Sequence, residues 1–260
     1  MIEVESFSFR GMKINNLSYA DAVARICRQV GKPGYVCFVE ATSAVVANRD
    51  VDLMSALNGS TLSLPDGMSL VWYGRSLGSH RIERIPGPEI FRDFVEHYSE
   101  YRHFLLGDTP ERLARVIQKA VAKNRNLRIS GYSPPFRKEL TADDNSFILE
   151  RISQERPDII WVALGLAKQA KWMHLMSPKI ERGVVMGVGA AFKYYVGDIP
   201  TPPRLLQKFA LQWMTRVVDS PGGFVISTIP NRARFLCYLP VEWIHARLTR
   251  RGLHQWTDRS

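Results

Sequence analysis

A single carboxylate stands where a buried strand gives way to a helix. In the stretch Leu62–Met68 an apolar, strand-prone segment ends at Pro65, and apolar residues at helical spacing resume at Met68. Ligands of α/β proteins gather at such strand ends, where Asp66 would serve as a catalytic base. The alternative from local pattern is that Asp66 caps the following helix through its side-chain oxygen.

Two glycine turns have the chemistry of phosphate binding. The segment 104–109 reads as a strand, a glycine (Gly107) and a helix start, and Gly187-Val188-Gly189 is similar. Amides exposed at such turns receive phosphate groups. Neither turn has a complete dinucleotide fingerprint, so both also fit plain connecting turns.

Acids and cysteines do not predict a metal centre. Asp50 and Asp52 have the spacing of a manganese or magnesium motif, but we assign them to the entry of a helix, where acids favour the positive end. Cys27, Cys37 and Cys237 lie far apart among apolar neighbours, which predicts buried thiols rather than disulfides or a metal cluster. We therefore predict no metal and no cofactor.

The periodicity of the rest of the chain indicates the elements that position these residues. Strands are predicted at 35–39, 61–64, 102–106, 127–131, 159–164 and 184–186, and helices at 19–30, 68–77, 109–123 and 143–156. Strands and helices that alternate in this way predict an α/β fold, a Rossmann-like and largely parallel sheet flanked by helices.

The net charge of +10 is concentrated near the end of the chain. From Pro200 onward nine Lys and Arg oppose three acids, among large apolar residues. A stretch rich in Gly and Pro at 197–203 predicts a boundary between an α/β body (1–199, possibly two packed lobes) and a basic, amphipathic, helical C-terminal appendage (200–260). Such a segment favours binding to an anionic bilayer surface.

The start of the chain lacks a signal-peptide pattern, and no apolar run approaches about 20 residues. Together these features predict a cytoplasmic, peripheral membrane protein.

Five ordered blocks carry a resemblance to a known family. They are Leu64–Met68 with Glu83–Gly87, Phe104–Gly107, Ala163–Gln169, Gly187–Phe192, and Leu211–Trp213 with Arg216. In order and spacing they resemble the WecG/TagA/CpsF glycosyltransferase family, over most of the chain.

The resemblance implies an inverting, metal-independent glycosyltransferase. It would move a hexose, an N-acetylhexosamine or its uronate from a UDP-sugar to a polyprenyl-diphosphate-linked sugar, in bacterial surface polysaccharide synthesis. Asp66 would be the base that deprotonates the acceptor hydroxyl, and Arg84 would steady phosphate groups. One base suffices for a single displacement, whereas retention would ask for a second carboxylate as nucleophile.

The resemblance also implies which residues contact substrates. They are Glu40, Thr42, Ser43, Gly67, Gly107, Lys168, Gln169, Gly189, Phe192 and Lys193. This chain departs from the family pattern at three places. Phe38 and Glu40 stand where the family usually has Thr-x-Asn, Lys193 replaces a common Asp, and Gln212 replaces a Glu. We expect Glu40 to supplement Asp66 as an acid or base.

For the C-terminal segment the resemblance implies a role at the membrane and at the lipid-linked acceptor. The basic residues concerned are Arg204, Lys208, Arg216, Arg232 and Arg234.

Two other functional classes fit part of the sequence pattern. A nucleotide-binding oxidoreductase fits the alternation but lacks the fingerprint, and a nucleic-acid-binding module fits the charge, although the apolar content of the segment favours vesicles over nucleic acid.

Overall fold

A β-hairpin precedes the main body of the protein. The computed structural model describes residues 6–200 and 221–257. Strands β1 (Ser6–Phe9) and β2 (Met12–Asn15) pair antiparallel. Arg10 and Gly11 connect them, both with positive φ (52° and 80°). The sequence analysis did not predict this hairpin.

A six-stranded parallel sheet forms the centre of the molecule, as predicted. Its strands are β3 (Gly34–Val39), β4 (Leu62–Pro65), β5 (Arg102–Gly107), β6 (Arg128–Tyr132), β7 (Ile159–Ala163) and β8 (Val184–Gly187). Their order is β4-β3-β8-β7-β5-β6. Val36 of β3 lies opposite Leu62 on one side and Met186 on the other. Since helices cover both faces, the strands are nearly continuous apolar runs.

Helices alternate with these strands along the chain. They are α1 (Tyr19–Gln29), α2 (Ala41–Ala47), α3 (Val51–Asn58), α4 (Met68–Ser76), α5 (Gly87–His97), α6 (Pro110–Lys123), α7 (Ala142–Glu155), α8 (Leu166–Met176) with a short 3-10 turn (Ser177–Lys179), α9 (Ala191–Val196) and a C-terminal helix (Pro221–Thr257). The predicted starts of two helices are confirmed. Ser18 Oγ accepts from Asp21 N at 3.1 Å, and Thr109 Oγ1 accepts from Arg112 N at 3.3 Å.

Each face of the sheet has its own hydrophobic core. Along β5, Phe104 and Leu106 belong to one core and Leu105 to the other, because successive side chains of a strand point to opposite faces. The second core contains the edge-on pair of Phe91 and Trp161, with ring centroids 5.1 Å apart. The sheet is therefore held between two packed layers of helices.

A buried histidine ties β5 to β7. Trp161 Nε1 donates to His103 Nδ1 at 3.0 Å, so the proton of the imidazole is on Nε2, which donates to the carbonyl of Tyr98 at 3.1 Å. The His103 side chain is 2% exposed. Burial lowers the pKa of His103 to about 4, because the charged form would lose its solvation.

The C-terminal helix packs on the hairpin and completes the core that contains Phe104 and Leu106. Phe235 is 2% exposed and its ring centroid lies 4.7 Å from that of Phe9. Arg10 Nη1 contacts Glu242 Oε1 at 3.2 Å. The opposite side of this helix is exposed and apolar at Leu236, Ile244 and Leu248.

Parts of the sequence-based picture fall outside the described residues. Arg204, Lys208, Arg216 and the block Leu211–Trp213 lie there. The division of the chain at 199 and 200 stays a prediction. In the segments that the structure describes, no helix is both long and apolar enough to span a bilayer.

The three cysteines are free thiols in different surroundings. Cys37 is buried, Cys27 is half-buried and Cys237 is exposed. The prediction of buried thiols is therefore wrong for Cys237, because this residue lies on the outer side of the C-terminal helix, next to the exposed Leu236.

Candidate active site

A cavity of about 1000 Å³ opens at the carboxyl ends of the parallel strands. Its lining includes a residue that follows each strand of the sheet: Asp66 after β4, Glu40 after β3, Gly189 after β8, Gly165 after β7, Asp108 after β5 and Ser133 after β6. All six strand ends meet at one edge because the strands are parallel. The volume is at the upper end of the roughly 300–1000 Å³ usual for small-molecule sites.

Asp66 lies at this edge on a strand end that is held from two sides. Its amide donates to the carbonyl of Val39 at 2.8 Å, and Ile85 N donates to the carbonyl of Pro65 at 2.8 Å. Asp66 is half-buried and lines the cavity. The N-cap position of α4 is occupied by Gly67 and not by Asp66.

Glu40 links the cavity to the C-terminal helix. Its Oε1 accepts from Thr42 Oγ1 at 2.6 Å, and its amide donates to Ser43 Oγ at 3.1 Å. On the other side, Glu40 Oε2 lies 3.7 Å from Arg232 Nη2. The carboxylate is thus held between the first turn of α2 and an arginine more distant in sequence.

Several predicted site residues lie behind the cavity wall. Among the described residues that line the cavity, Arg84, Thr42, Gly67 and Phe192 are not found. Arg84 Nη2 donates to Glu89 Oε1 at 2.5 Å, and its side chain is 15% exposed. Phe192 is fully buried in the second core and therefore does not contact a ligand in the cavity.

Glycine turns shape the middle of the cavity. Gly107, Gly165 and Gly189 all have positive φ, at 114°, 89° and 56°. A Cβ at Gly107 would lie 2.5 Å from the carbonyl oxygen of Ala163, closer than any real contact of this kind. The strand end after β5 therefore requires glycine.

Gln169 fastens two of these turns together. It is buried, and its Oε1 accepts from Gly189 N at 3.2 Å. Helix α8 begins after Gly165, which has no side chain to accept from the amides of the first turn. Lys193, on α9, adds a cation to the same part of the cavity lining.

Lys168 holds a loop that the sequence analysis missed. Its Nζ donates to the carbonyl of Arg137 at 2.7 Å, and burial lowers the pKa of Lys168. Arg137 in turn lies 3.7 Å from Asp144 of α7. Residues 133–137 lack any periodicity, but the two prolines of Ser133-Pro134-Pro135-Phe136 are a sequence signal for a turn.

Two acids and two arginines form a network of ion pairs next to that loop. Asp108, at φ 59°, pairs with Arg112, which also contacts Asp198 at 2.6 Å. Arg115 contacts Asp198 at 2.7 Å. Hydrogen bonds from Arg112 and Arg115 hold the pKa of Asp198 below its usual value. Two of these residues line the cavity, Asp108 and Arg112.

The acid pair at 50 and 52 is a helix entry, as interpreted from the sequence. Asp50 Oδ1 accepts from Leu53 N at 3.0 Å, and Asp50 Oδ2 contacts Lys171 Nζ at 2.8 Å. Across residues 6–200 and 221–257, no three His, Cys, Asp or Glu side chains gather in a way that would hold a metal ion.

With this geometry established, comparison with known proteins identifies the family. The family model described as "Glycosyl transferase WecG/TagA/CpsF family" matches residues 7–249. The chain belongs to the WecG/TagA/CpsF family. The resemblance inferred from the five sequence blocks is thereby confirmed, and the protein is a glycosyltransferase. Family membership excludes the oxidoreductase alternative.

Two curated relatives of this family member come from bacilli. A Bacillus subtilis (strain 168) protein, N-acetylglucosaminyldiphosphoundecaprenol N-acetyl-beta-D-mannosaminyltransferase, is 27% identical over 180 residues, 68% of each chain. A protein of the same description from Bacillus spizizenii (strain W23) is 25% identical over 170 residues, 65% of this chain and 64% of the relative.

The cavity offers a WecG/TagA/CpsF enzyme three zones along one sheet edge. Carboxylates stand after β4 and β3, glycine turns and the start of α8 follow after β8 and β7, and an aromatic loop stands after β6. Carboxylates, amide donors and an aromatic ring therefore follow one another along this edge of the sheet.

Proposed function

We propose that the protein transfers a hexose, an N-acetylhexosamine or its uronate from a UDP-sugar to a polyprenyl-diphosphate-linked sugar. The position of Asp66, half-buried in the cavity lining directly after β4, is the observation that carries this proposal. The names of both Bacillus relatives support the acceptor class, because they describe transfer to N-acetylglucosaminyldiphosphoundecaprenol.

The proposed reaction is a single displacement. Asp66 takes the proton of the acceptor hydroxyl as its oxygen attacks the anomeric carbon, and UDP leaves from the opposite face, so that the configuration inverts. Glu40 is a candidate second acid or base. Its carboxylate accepts a hydrogen bond from Thr42 Oγ1 and lies 3.7 Å from Arg232, so that it is held at the cavity.

Charge that develops on departing UDP would be stabilised by the protein itself. The diphosphate is proposed to lie over Gly189 and the first turn of α8, where amides and the positive helix end favour anions. Lys193 supplies a cation at the same place. Arg84, which is paired with Glu89, stays a proposed phosphate ligand that would have to exchange partners.

The C-terminal helix is proposed to dock on the anionic inner face of the cell membrane. Its outer side is apolar at Ile244 and Leu248, and Arg232 and Arg234 add positive charge. Because Arg232 lies beside Glu40, this helix connects the bilayer surface to the cavity. Arg204, Lys208 and Arg216 remain predicted contributors outside the described residues.

The proposal is tested by a transferase assay with Asp66→Asn. The protein is incubated with a panel of UDP-sugars and N-acetylglucosaminyldiphosphoundecaprenol, with EDTA present. We expect product from one donor, with turnover lowered about 10²- to 10⁴-fold in the variant, because the base is lost while the shape is kept. NMR of the product gives the anomeric configuration.

Glu40→Gln is the matched amide variant in the same assay. Unchanged turnover would remove Glu40 as a second acid or base. Full activity of Asp66→Asn would overturn the assignment of the base, and loss of activity with EDTA would contradict a metal-independent reaction.

A further inference from the structure

An apolar groove lies between α4 and the C-terminal helix, separate from the cavity at the strand ends. Its volume is about 360 Å³, at the low end of the range usual for small-molecule sites. Trp72 and Tyr73 line it from α4, and Phe235, Leu239 and Trp243 line it from the C-terminal helix. None of the described residues that line this groove carries a charge. The groove therefore suits an apolar ligand.

The groove is open to solvent along one side. Trp72 and Leu236, which both belong to its lining, are 46% and 64% exposed. Ser76 also lines the groove, and its hydroxyl is engaged by the protein, because Ser76 Oγ donates to the carbonyl of Tyr73 at 2.7 Å. What the groove offers to a ligand is thus mainly apolar surface that water now covers.

The α4 wall of the groove leads away from the proposed catalytic base. Helix α4 begins at Met68, two residues after Asp66. It lines the groove from Ser69 to Ser76, which is about 10 Å along the helix axis at 1.5 Å per residue. Ser69 is only three residues from Asp66, which lines the cavity. The near end of the groove therefore lies within one helical turn of the cavity.

The C-terminal helix presents a cation before its apolar wall. Arg232 Nη2 lies 3.7 Å from Oε2 of Glu40, a residue of the cavity lining. Phe235 and Leu236 follow three and four residues later, so they share a face of the helix with Arg232. The lining continues to Trp243, about 12 Å along the axis from Phe235. From the cavity outward, this helix offers first a positive charge and then apolar side chains.

We propose that the groove binds the polyprenyl chain of the acceptor, in the part next to its diphosphate. The inference rests on the proposed function, in that the acceptor is a polyprenyl-diphosphate-linked sugar, and adds the site for its chain. Such an acceptor consists of a sugar, an anionic diphosphate and an uncharged chain. The carboxylates of the cavity, Arg232 and the groove follow one another in the same order.

This arrangement gives the chain apolar cover where it leaves the bilayer. The diphosphate then lies near Arg232, and the sugar hydroxyl is positioned at Asp66. The groove is distinct from the outer side of the C-terminal helix that is proposed to dock on the membrane, because Ile244 and Leu248 are not part of its lining.

Calorimetric titration of the full chain with farnesyl diphosphate tests this inference, below the micellar concentration and without detergent or vesicles. Inorganic pyrophosphate is the comparison titrant, because it carries the charge and lacks the chain. We expect farnesyl diphosphate to bind at least about 10²-fold more tightly, since each buried methylene contributes roughly a factor of four. Trp72→Ser is expected to weaken binding of farnesyl diphosphate about tenfold and to leave pyrophosphate binding unchanged, because one apolar wall is lost.

A second variant fills the groove instead of opening it. Ser76 lies at the end of the groove that is farther along α4 from Asp66, so Ser76→Phe shortens the space for a chain. It is expected to weaken binding of farnesyl diphosphate about tenfold, whereas dimethylallyl diphosphate, with a single isoprene unit, binds as in the parent. Val241→Ser is the control and leaves all affinities unchanged, since this valine is 59% exposed on the C-terminal helix and outside the groove lining.

The outcomes separate this inference from the proposed function. Equal affinity of the parent, Trp72→Ser and Ser76→Phe for farnesyl diphosphate would overturn it, as would an equal loss in Val241→Ser. A parent dimer that Trp72→Ser converts to a monomer in sedimentation would make the groove a contact between copies, which also overturns it. If the groove variants behave as expected but the parent transfers no sugar in the assay with UDP-sugars, the proposed function fails and the groove still binds polyprenyl chains.

Discussion

Several polar side chains of the cavity wall already bind other groups of the protein. Lys168 and Gln169 hold a loop and a glycine turn by direct hydrogen bonds, and Glu40 is engaged by Thr42 and lies close to Arg232. These residues therefore pre-organise the cavity before any substrate arrives. Residue type and spacing predicted that they belong to the site, but only the fold shows which neighbour each of them meets.

His103 makes stability depend on pH. The unfolded chain takes up the imidazole proton near pH 6.5, whereas the folded protein does so only near pH 4. Its contribution to the free energy of unfolding is therefore fully present above pH 6.5 and is lost as the pH falls toward 4. Between pH 7 and pH 5 we expect the parent to lose about 2 kcal/mol more than His103→Asn, measured by urea denaturation.

Asparagine suits this comparison because its side-chain oxygen can accept from Trp161 Nε1 without titrating. Carboxylates elsewhere titrate in both proteins and cancel in the difference. Equal losses of stability in the parent and the variant would mean that His103 protonates normally in the folded state.

At the scale of elements, periodicity predicted the six sheet strands and several of the helices to within a few residues. It missed β1 and β2, because polar and apolar residues are mixed over only four positions there, a weaker signal than the continuous apolar runs of the parallel strands. It also missed the loop at 133–137, because proline-rich turns have no period. Contacts such as that of Arg10 with Glu242, 232 residues apart, depend on tertiary packing that no local pattern contains.

The outer side of the C-terminal helix gives an element-scale prediction. Ile244 and Leu248 are 53% and 62% exposed. Replacing both with serine is expected to reduce co-sedimentation with anionic vesicles about tenfold or more, because buried apolar area on the bilayer is lost. Turnover of a detergent-dispersed acceptor is expected to stay near the parent value.

Leu175→Ser serves as the comparison, since this leucine is 60% exposed on α8. It is expected to leave vesicle binding unaltered. Vesicle binding that survives the double serine replacement would show that another surface contacts the bilayer.

At the scale of the whole molecule, the C-terminal helix is part of the core and not only an appendage. Phe235 and Phe9 belong to the same buried cluster. Phe235→Ala is expected to lower the free energy of unfolding by about 3–5 kcal/mol, because it leaves a cavity against the hairpin. Urea denaturation at neutral pH measures this change.

The neighbouring Leu236 is 64% exposed, so Leu236→Ala is expected to change the same free energy by less than about 0.5 kcal/mol. Similar losses for both variants would mean that the helix does not pack as described. Deleting the helix would uncover Phe9, so point substitutions report on membrane binding more cleanly than truncation does.

The contact between Arg10 and Glu242 also bears on how the protein is made. A ribosome adds about 5–20 residues per second, so the hairpin waits roughly 10–50 s after its own synthesis for the helix that covers it. In the sheet, Gly34 of β3 likewise cannot pair with Val184 of β8 until that later strand has been synthesised. During that interval Phe9 and the open edge of β3 are exposed on the nascent chain, which makes them the segments that chaperones would need to shield.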